Sequence, residues 1–126
     1  MTVADEEFAR EFARLSATFV AQLPRQVQAL SDDLGAYQAT PHDAALFDTL
    51  SHKVHQLKGA GSTFGCSSIS DLAMALEQCL ATRQSNAADG SATDFDAVDA
   101  ALEALRGEAS RVYDESAHRG QAGALT

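Results

Sequence analysis

The sequence of 126 residues has no tryptophan, only two prolines and two cysteines, and nine basic side chains against eighteen acidic ones. Each shortage excludes something. Alternating Val, Ile and Thr runs are missing, which removes the usual signal of a half-buried sheet. No apolar run approaches the roughly 18 residues of a membrane span. The opening stretch "MTVADEEFAREF" is acidic and lacks the basic-then-apolar layout of a secretory signal, so a cytoplasmic location is expected. A formal net charge of −9 repels phosphate backbones and anionic lipids, so neither nucleic acid nor a membrane surface is expected as a partner. Cys66 and Cys79 fall on one predicted helix, about 19 Å apart at 1.5 Å per residue. A disulfide needs Cα atoms within about 7 Å, so two reduced, packed cysteines are expected.

What remains is rich in alanine and leucine, with 45% hydrophobic residues in a length that suits one domain. Phe8, Phe12, Leu15, Phe19, Leu23, Val27, Leu30 and Leu34 recur at spacings of three and four. They mark a first helix from about Asp5 to Ala36, with a kink or break near Pro24 and its phenylalanines facing the core, exposure of part of that stripe for partner contact being the alternative. A second helix is predicted over Pro41–Phe64, with Thr40 as cap, Pro41 in the first position and Gly65 closing it. A third runs from about Ser67 to Arg83 with Ile69, Leu72, Ala73, Leu76 and Leu80 inward, followed by a polar loop "QSNAADGSA". The fourth opens at "TDFD" with Thr93 as cap and carries Phe95, Val98, Leu102, Leu105 and Val112. Four segments, each apolar on one face, predict an all-α antiparallel four-helix bundle over residues 1–117, with an N-terminal helical extension kinked or broken near Pro24. Residues 118–126 lack periodicity and are expected to form a flexible tail. The absence of a second apolar face argues for a monomer.

One stretch works against its own helix. "HQLKGAGSTFG", residues 55–65, holds Gly59, Gly61 and Gly65. Each glycine inside a helix costs about 0.5–1 kcal/mol relative to alanine. On a helical wheel Leu46, Leu50, Val54, Leu57, Gly61 and Phe64 cluster within about 80° of one another and form the core face. His55 points roughly 145° away from its centre, on the outward side with His52, Gly59 and Ser62. Lys58 is its neighbour one turn on, and Gly59 lies directly beside it. An exposed imidazole is commonly neutral, hence nucleophilic, near neutral pH. An adjacent ammonium can balance an incoming phosphoryl group. A missing side chain at Gly59 gives a second protein access to the ring, whereas Gly61 faces inward and suits close approach of another helix. Between Asp48 and Asp71 there is no Asp or Glu, so an acidic partner can approach without repulsion.

These residues resemble the histidine-containing phosphotransfer (HPt) family, whose motif is matched by His55, Leu57, Lys58, Gly59, Gly65, Leu76 and Glu77. The resemblance is clearest over residues 46–80. It implies a bundle that carries a phosphoryl group on a surface histidine in a multistep two-component phosphorelay. His55 stands at the phosphoacceptor position, and Lys58 and Gly59 at the supporting ones. The implied partners are the receiver domain of a hybrid histidine kinase and that of a response regulator, with the group moving between their aspartates and His55. Mg²⁺ and an acid cluster are expected from the receiver, and no cofactor from this chain. No ATP-binding or dimerisation segment is in view, so it is expected to carry phosphoryl groups without autonomous kinase activity. His52, Gln56 and Ser62 are candidates for partner docking.

Where many members have a serine pair, this chain reads Ala60-Gly61, and its "TFG" ending also resembles the phosphoacceptor domain of chemotaxis histidine kinases. Such a detached domain is therefore one alternative. A non-catalytic helical adaptor is another. A metal site built on His52 and His55 has the right spacing but no third ligand nearby and a repelling Lys58.

Overall fold

A computed structural model describes residues 3–88 and 95–124. Four helices account for almost all of them: α1 (Val3–Ala39), α2 (Ala44–Thr63), α3 (Ser67–Ala88) and α4 (Asp96–Ala124). Each packs against the next in the chain, and α4 closes on α1, while among the described residues the backbones of the diagonal pairs stay apart. Short connections make neighbours antiparallel, so the fold is the expected four-helix bundle. The core is drawn from the predicted stripes: Leu23, Val27 and Leu30 of α1, Leu50, Val54 and Leu57 of α2, Ile69, Leu76 and Leu80 of α3, and Val98 and Leu105 of α4 are all buried.

Several boundaries differ from expectation. The first helix is not broken at Pro24, which sits inside an unbroken α1 of 37 residues. Proline removes one backbone hydrogen bond there, but Leu23 and Val27 on either side are locked into the core and keep the helix in phase. The cap of α2 is Asp43 rather than Thr40. Asp43 is extended, and its Oδ1 accepts from the backbone N–H of Ala45 at 3.0 Å and of Leu46 at 3.2 Å. Thr40 instead ends α1 by donating its N–H to Ala36 and Tyr37. Its own carbonyl accepts from the Asp43 N–H at 3.1 Å, leaving Pro41 to fill the second position of a turn, where its fixed φ is also favoured.

The third helix runs on to Ala88, since nothing between Gln84 and Ala88 is Gly or Pro. The expected cap at Thr93 lies outside the described residues, as does part of the predicted loop. The last helix continues to Ala124, so no break in it marks residue 117. The phenylalanines of α1 also divide. Phe19 is buried, but Phe8 is 72% exposed and Phe12 38%, because α1 outruns the 20-residue α2, whose end reaches these turns through the Phe64 ring against Phe12.

The α2–α3 junction positions everything that follows. Gly65 has φ +75°, the left-handed conformation that glycine alone adopts without strain. The Gly65 N–H reaches the carbonyl of Ser62, and the Cys66 N–H that of Gly61 at 2.8 Å, the paired bonds that close a helix and reverse the chain. Both cysteines are free, Cys66 just ahead of α3 and Cys79 within it.

At the other end of the bundle Arg83 is buried. It donates to the Tyr37 hydroxyl at 3.0 Å and lies 3.7 Å over the Phe95 ring.

Candidate functional site

His55 projects from the middle of α2 with 66% of its side chain exposed. The reason is its phase. Val54 and Leu57 are buried on the inward face, and His55, one residue after the first and two before the second, is carried to the outside. One turn on, Gly59 is exposed, and a Cβ built there would meet nothing within 4 Å. The space beside the imidazole is open, as the spacing suggested.

Gly61 is the opposite case. A Cβ there would stand 3.0 Å from the Ser70 backbone nitrogen and 3.2 Å from the Cys66 carbonyl. Its missing side chain lets α3 pass almost backbone to backbone against α2. That approach also brings the Ser70 hydroxyl to the Lys58 carbonyl, to which it donates at 2.9 Å.

The close crossing of α3 delivers a residue that the reading of α2 alone leaves out. Glu77 extends one carboxylate oxygen to Nδ1 of His55 at 2.8 Å and the other to Nζ of Lys58 at 2.9 Å. The stretch without Asp or Glu is thus acid-free along the chain but not in space. Glu77 is named by the family motif, but only the fold makes it a neighbour of His55. Its carboxyl is held below the ordinary carboxylate range, first by the Lys58 ammonium and then by the His55 contact, against the opposing effect of burial. An ionised carboxylate only accepts hydrogen bonds, so this contact calls for a proton on Nδ1. A neutral ring of that tautomer presents a lone pair at Nε2, its outer nitrogen.

Lys58 is less free than the sequence suggests. Its side chain is 25% exposed and tied to Glu77, so it is held one turn from His55 rather than swinging in solvent. His52, Gln56 and Ser62 are all exposed, along with His55 and Gly59. Gln56 turns toward α1 and, with Gln26, Leu30, Lys53, Leu57 and Ala60, lines a groove of about 320 Å³. Lys53 crosses that junction to Asp33 of α1 at 2.7 Å. His52 and Ser62 flank His55 along the outer face without joining the carboxylate contact. Among the described residues no three His, Cys, Asp or Glu side chains gather closely enough to hold a metal ion. Among them, too, no helix is long and apolar enough to cross a membrane.

An exposed histidine with a carboxylate behind Nδ1, a tethered ammonium and an open flank is a constellation for moving an anionic group on and off a ring nitrogen. The family model described as "Hpt domain" matches residues 14–108. The chain belongs to the Hpt domain family. It is therefore a histidine phosphotransfer module, of the kind that partners receiver domains. No curated protein and no solved structure matches the chain. The matched segment contains the α2–α3 junction and all three interacting side chains, but it omits the first turns of α1 and the second half of α4.

Proposed function

We propose that this Hpt protein is a phosphocarrier in a multistep phosphorelay. It takes a phosphoryl group onto His55 from the aspartyl phosphate of one receiver domain and gives it to the aspartate of another. The donor is the receiver of a hybrid histidine kinase and the final acceptor that of a response regulator, in the cytoplasm. The reading is supported above all by one observation: the His55 ring is open to solvent beside the bare backbone of Gly59.

In the step onto the protein, the Nε2 lone pair attacks phosphorus in line. The Nε2–P bond forms as the bond from phosphorus to the aspartyl oxygen breaks, and the aspartate leaves as a carboxylate. The ring becomes an imidazolium, because the Nδ1 proton is retained. The Glu77 carboxylate, already at that proton, offsets the new positive charge without any group having to move. In this scheme the Lys58 ammonium, held by Glu77 one turn from His55, also serves the phosphoryl oxygens. The return step runs the same bonds backward. Such transfers depend on alignment and charge neutralisation more than on covalent chemistry from the protein. Mg²⁺ and its carboxylate cluster belong to the receiver in this scheme, and the exposed His52, Gln56 and Ser62 are its docking contacts.

The test is to incubate the protein with a phosphorylated receiver domain. The expected result is an acid-labile, base-stable phosphate on the protein, lost completely in His55→Gln. Label that persists in that variant would rule the proposal out.

A further inference from the structure

The expectation of a monomer assumed no second apolar face, and the N-terminal end of α1 has one. With 37 residues against the 20 of α2, α1 carries its first turns past the α2–α3 junction. Phe8, Phe12 and Leu15 are 72%, 38% and 40% exposed there. Phe64, at the end of α2, touches buried Phe19 at 5.4 Å between ring centroids and Phe12 at 6.0 Å, and Phe12 stacks on Phe8 at 6.3 Å. The aromatic run begins in the core and ends in water. The second half of α4 accompanies it: Ala17 and Val20 share a hollow with Arg111 and Val112 at the level of the α2–α3 junction, where Phe64 and Cys66 line its other side. Where α2 and α3 stop, α1 and α4 continue as a two-helix layer, and Phe8 and Phe12 lie outside the segment that matches the family.

We infer that this overhang pairs with the same overhang of a second copy, antiparallel and about a two-fold axis. Two observations select that occupant. Within each chain the face shared by α1 and α4 is covered by another antiparallel helix pair. A second copy supplies such a pair, carrying the same uncovered apolar strip. The charges of α1 are also graded along its length. Asp5, Glu6 and Glu7 make the first turns acidic, and Arg10, Glu11 and Arg14 follow, basic on balance. An antiparallel copy sets the acidic turns of one chain beside Arg14 of the other, twice by symmetry, where a parallel copy would oppose like charges. Arg14 is two-thirds exposed and held out by Glu11 of its own helix, within reach of a neighbour. His55 lies nine residues before Phe64, about 13 Å along α2, so pairing at the overhang leaves the phosphotransfer face uncovered.

Sedimentation velocity of the full chain across a dilution series tests this, with far-UV circular dichroism confirming that each variant is folded. A reversible monomer–dimer equilibrium is expected. Phe8→Ser with Phe12→Ser should weaken it at least about tenfold, the loss expected for two exposed aromatic anchors. Arg14→Glu should weaken it too, and adding Glu7→Arg in the same chain should restore it by exchanging the two signs. A monomer at every concentration would overturn the inference. So would a dimer indifferent to the phenylalanine pair, a charge exchange that fails to rescue, or capture of the strip by a different protein while the chain stays monomeric. None of these outcomes bears on whether His55 carries phosphate.

Discussion

The two faces of α2 use the same residue for opposite ends. Two positions apart, Gly59 and Gly61 each forgo a side chain. At Gly59 the vacancy opens to solvent beside a reactive ring. At Gly61 it is filled by the backbone of α3. The outward face sacrifices helix propensity for access, and the inward one sacrifices it for proximity. Proximity in turn carries Glu77 to His55 and Lys58, so the inner glycine helps to build the outer site.

The largest effect should come from breaking the inward face. A methyl group at position 61 would press on the Ser70 nitrogen at 3.0 Å and the Cys66 carbonyl at 3.2 Å, both backbone atoms that cannot rotate away. Overpacking of this kind costs about 1–3 kcal/mol, which outweighs the gain in helix propensity of about 1 kcal/mol. Gly61→Ala should therefore lower the urea midpoint, and Gly61→Val should lower it further. Because α3 must move away, both should also loosen the Glu77 contact, seen as a change in the His55 ring-nitrogen chemical shifts. A Gly61→Ala protein as stable as the parent would mean that the two helices are not in such close contact.

Much of this contrast was legible in the sequence, and its limits have a physical reason. Helical phase alone separates His55 from Val54 and Leu57, and assigns Gly59 outward and Gly61 inward. Phase is a property of one helix. It cannot say which residue of α3 arrives opposite His55, because that depends on how two helices cross and on the turn at Gly65. Glu77 was therefore a motif position without a partner until the fold supplied one. Phe8 and Phe12 took the exposed alternative rather than the core one for a related reason: their spacing marks a face, but burial needs a second helix long enough to cover it. Asp43 displaced Thr40 as cap because Pro41 suits both a helix start and a turn, and only the backbone distinguishes the two.

A smaller effect probes the link between the faces. Glu77 is stabilised as a carboxylate by Lys58 and His55, so its folded pKa lies below its unfolded one. Its contribution is therefore full above the ordinary carboxylate range and is lost as pH falls through the folded value. The carboxylate is about a third exposed, which limits that contribution to a few tenths up to about 1 kcal/mol. Glu77→Gln should be less stable than the parent at neutral pH by this amount, with the gap closing in acid. An unchanged gap across that range would mean that the carboxylate contact is not maintained in solution.

An effect of similar size but opposite sign belongs to the outward face. Gly59 has no neighbour within 4 Å of a would-be Cβ and sits inside a regular helix, so a methyl group meets nothing. Gly59→Ala should raise stability by about 0.5–1 kcal/mol through helix propensity alone. Gly59→Gln should recover most of the same gain, since glutamine is also a good helix former. Their phosphotransfer rates should diverge. Alanine reaches little beyond the backbone and should slow transfer from a receiver only modestly, whereas glutamine extends over the space beside His55 and should slow it severely. A protein that becomes more stable as it becomes less active is what an access glycine predicts. If both variants gain stability and Gly59→Gln also keeps the parental transfer rate, then the open flank serves no partner, and the outward glycine needs another explanation.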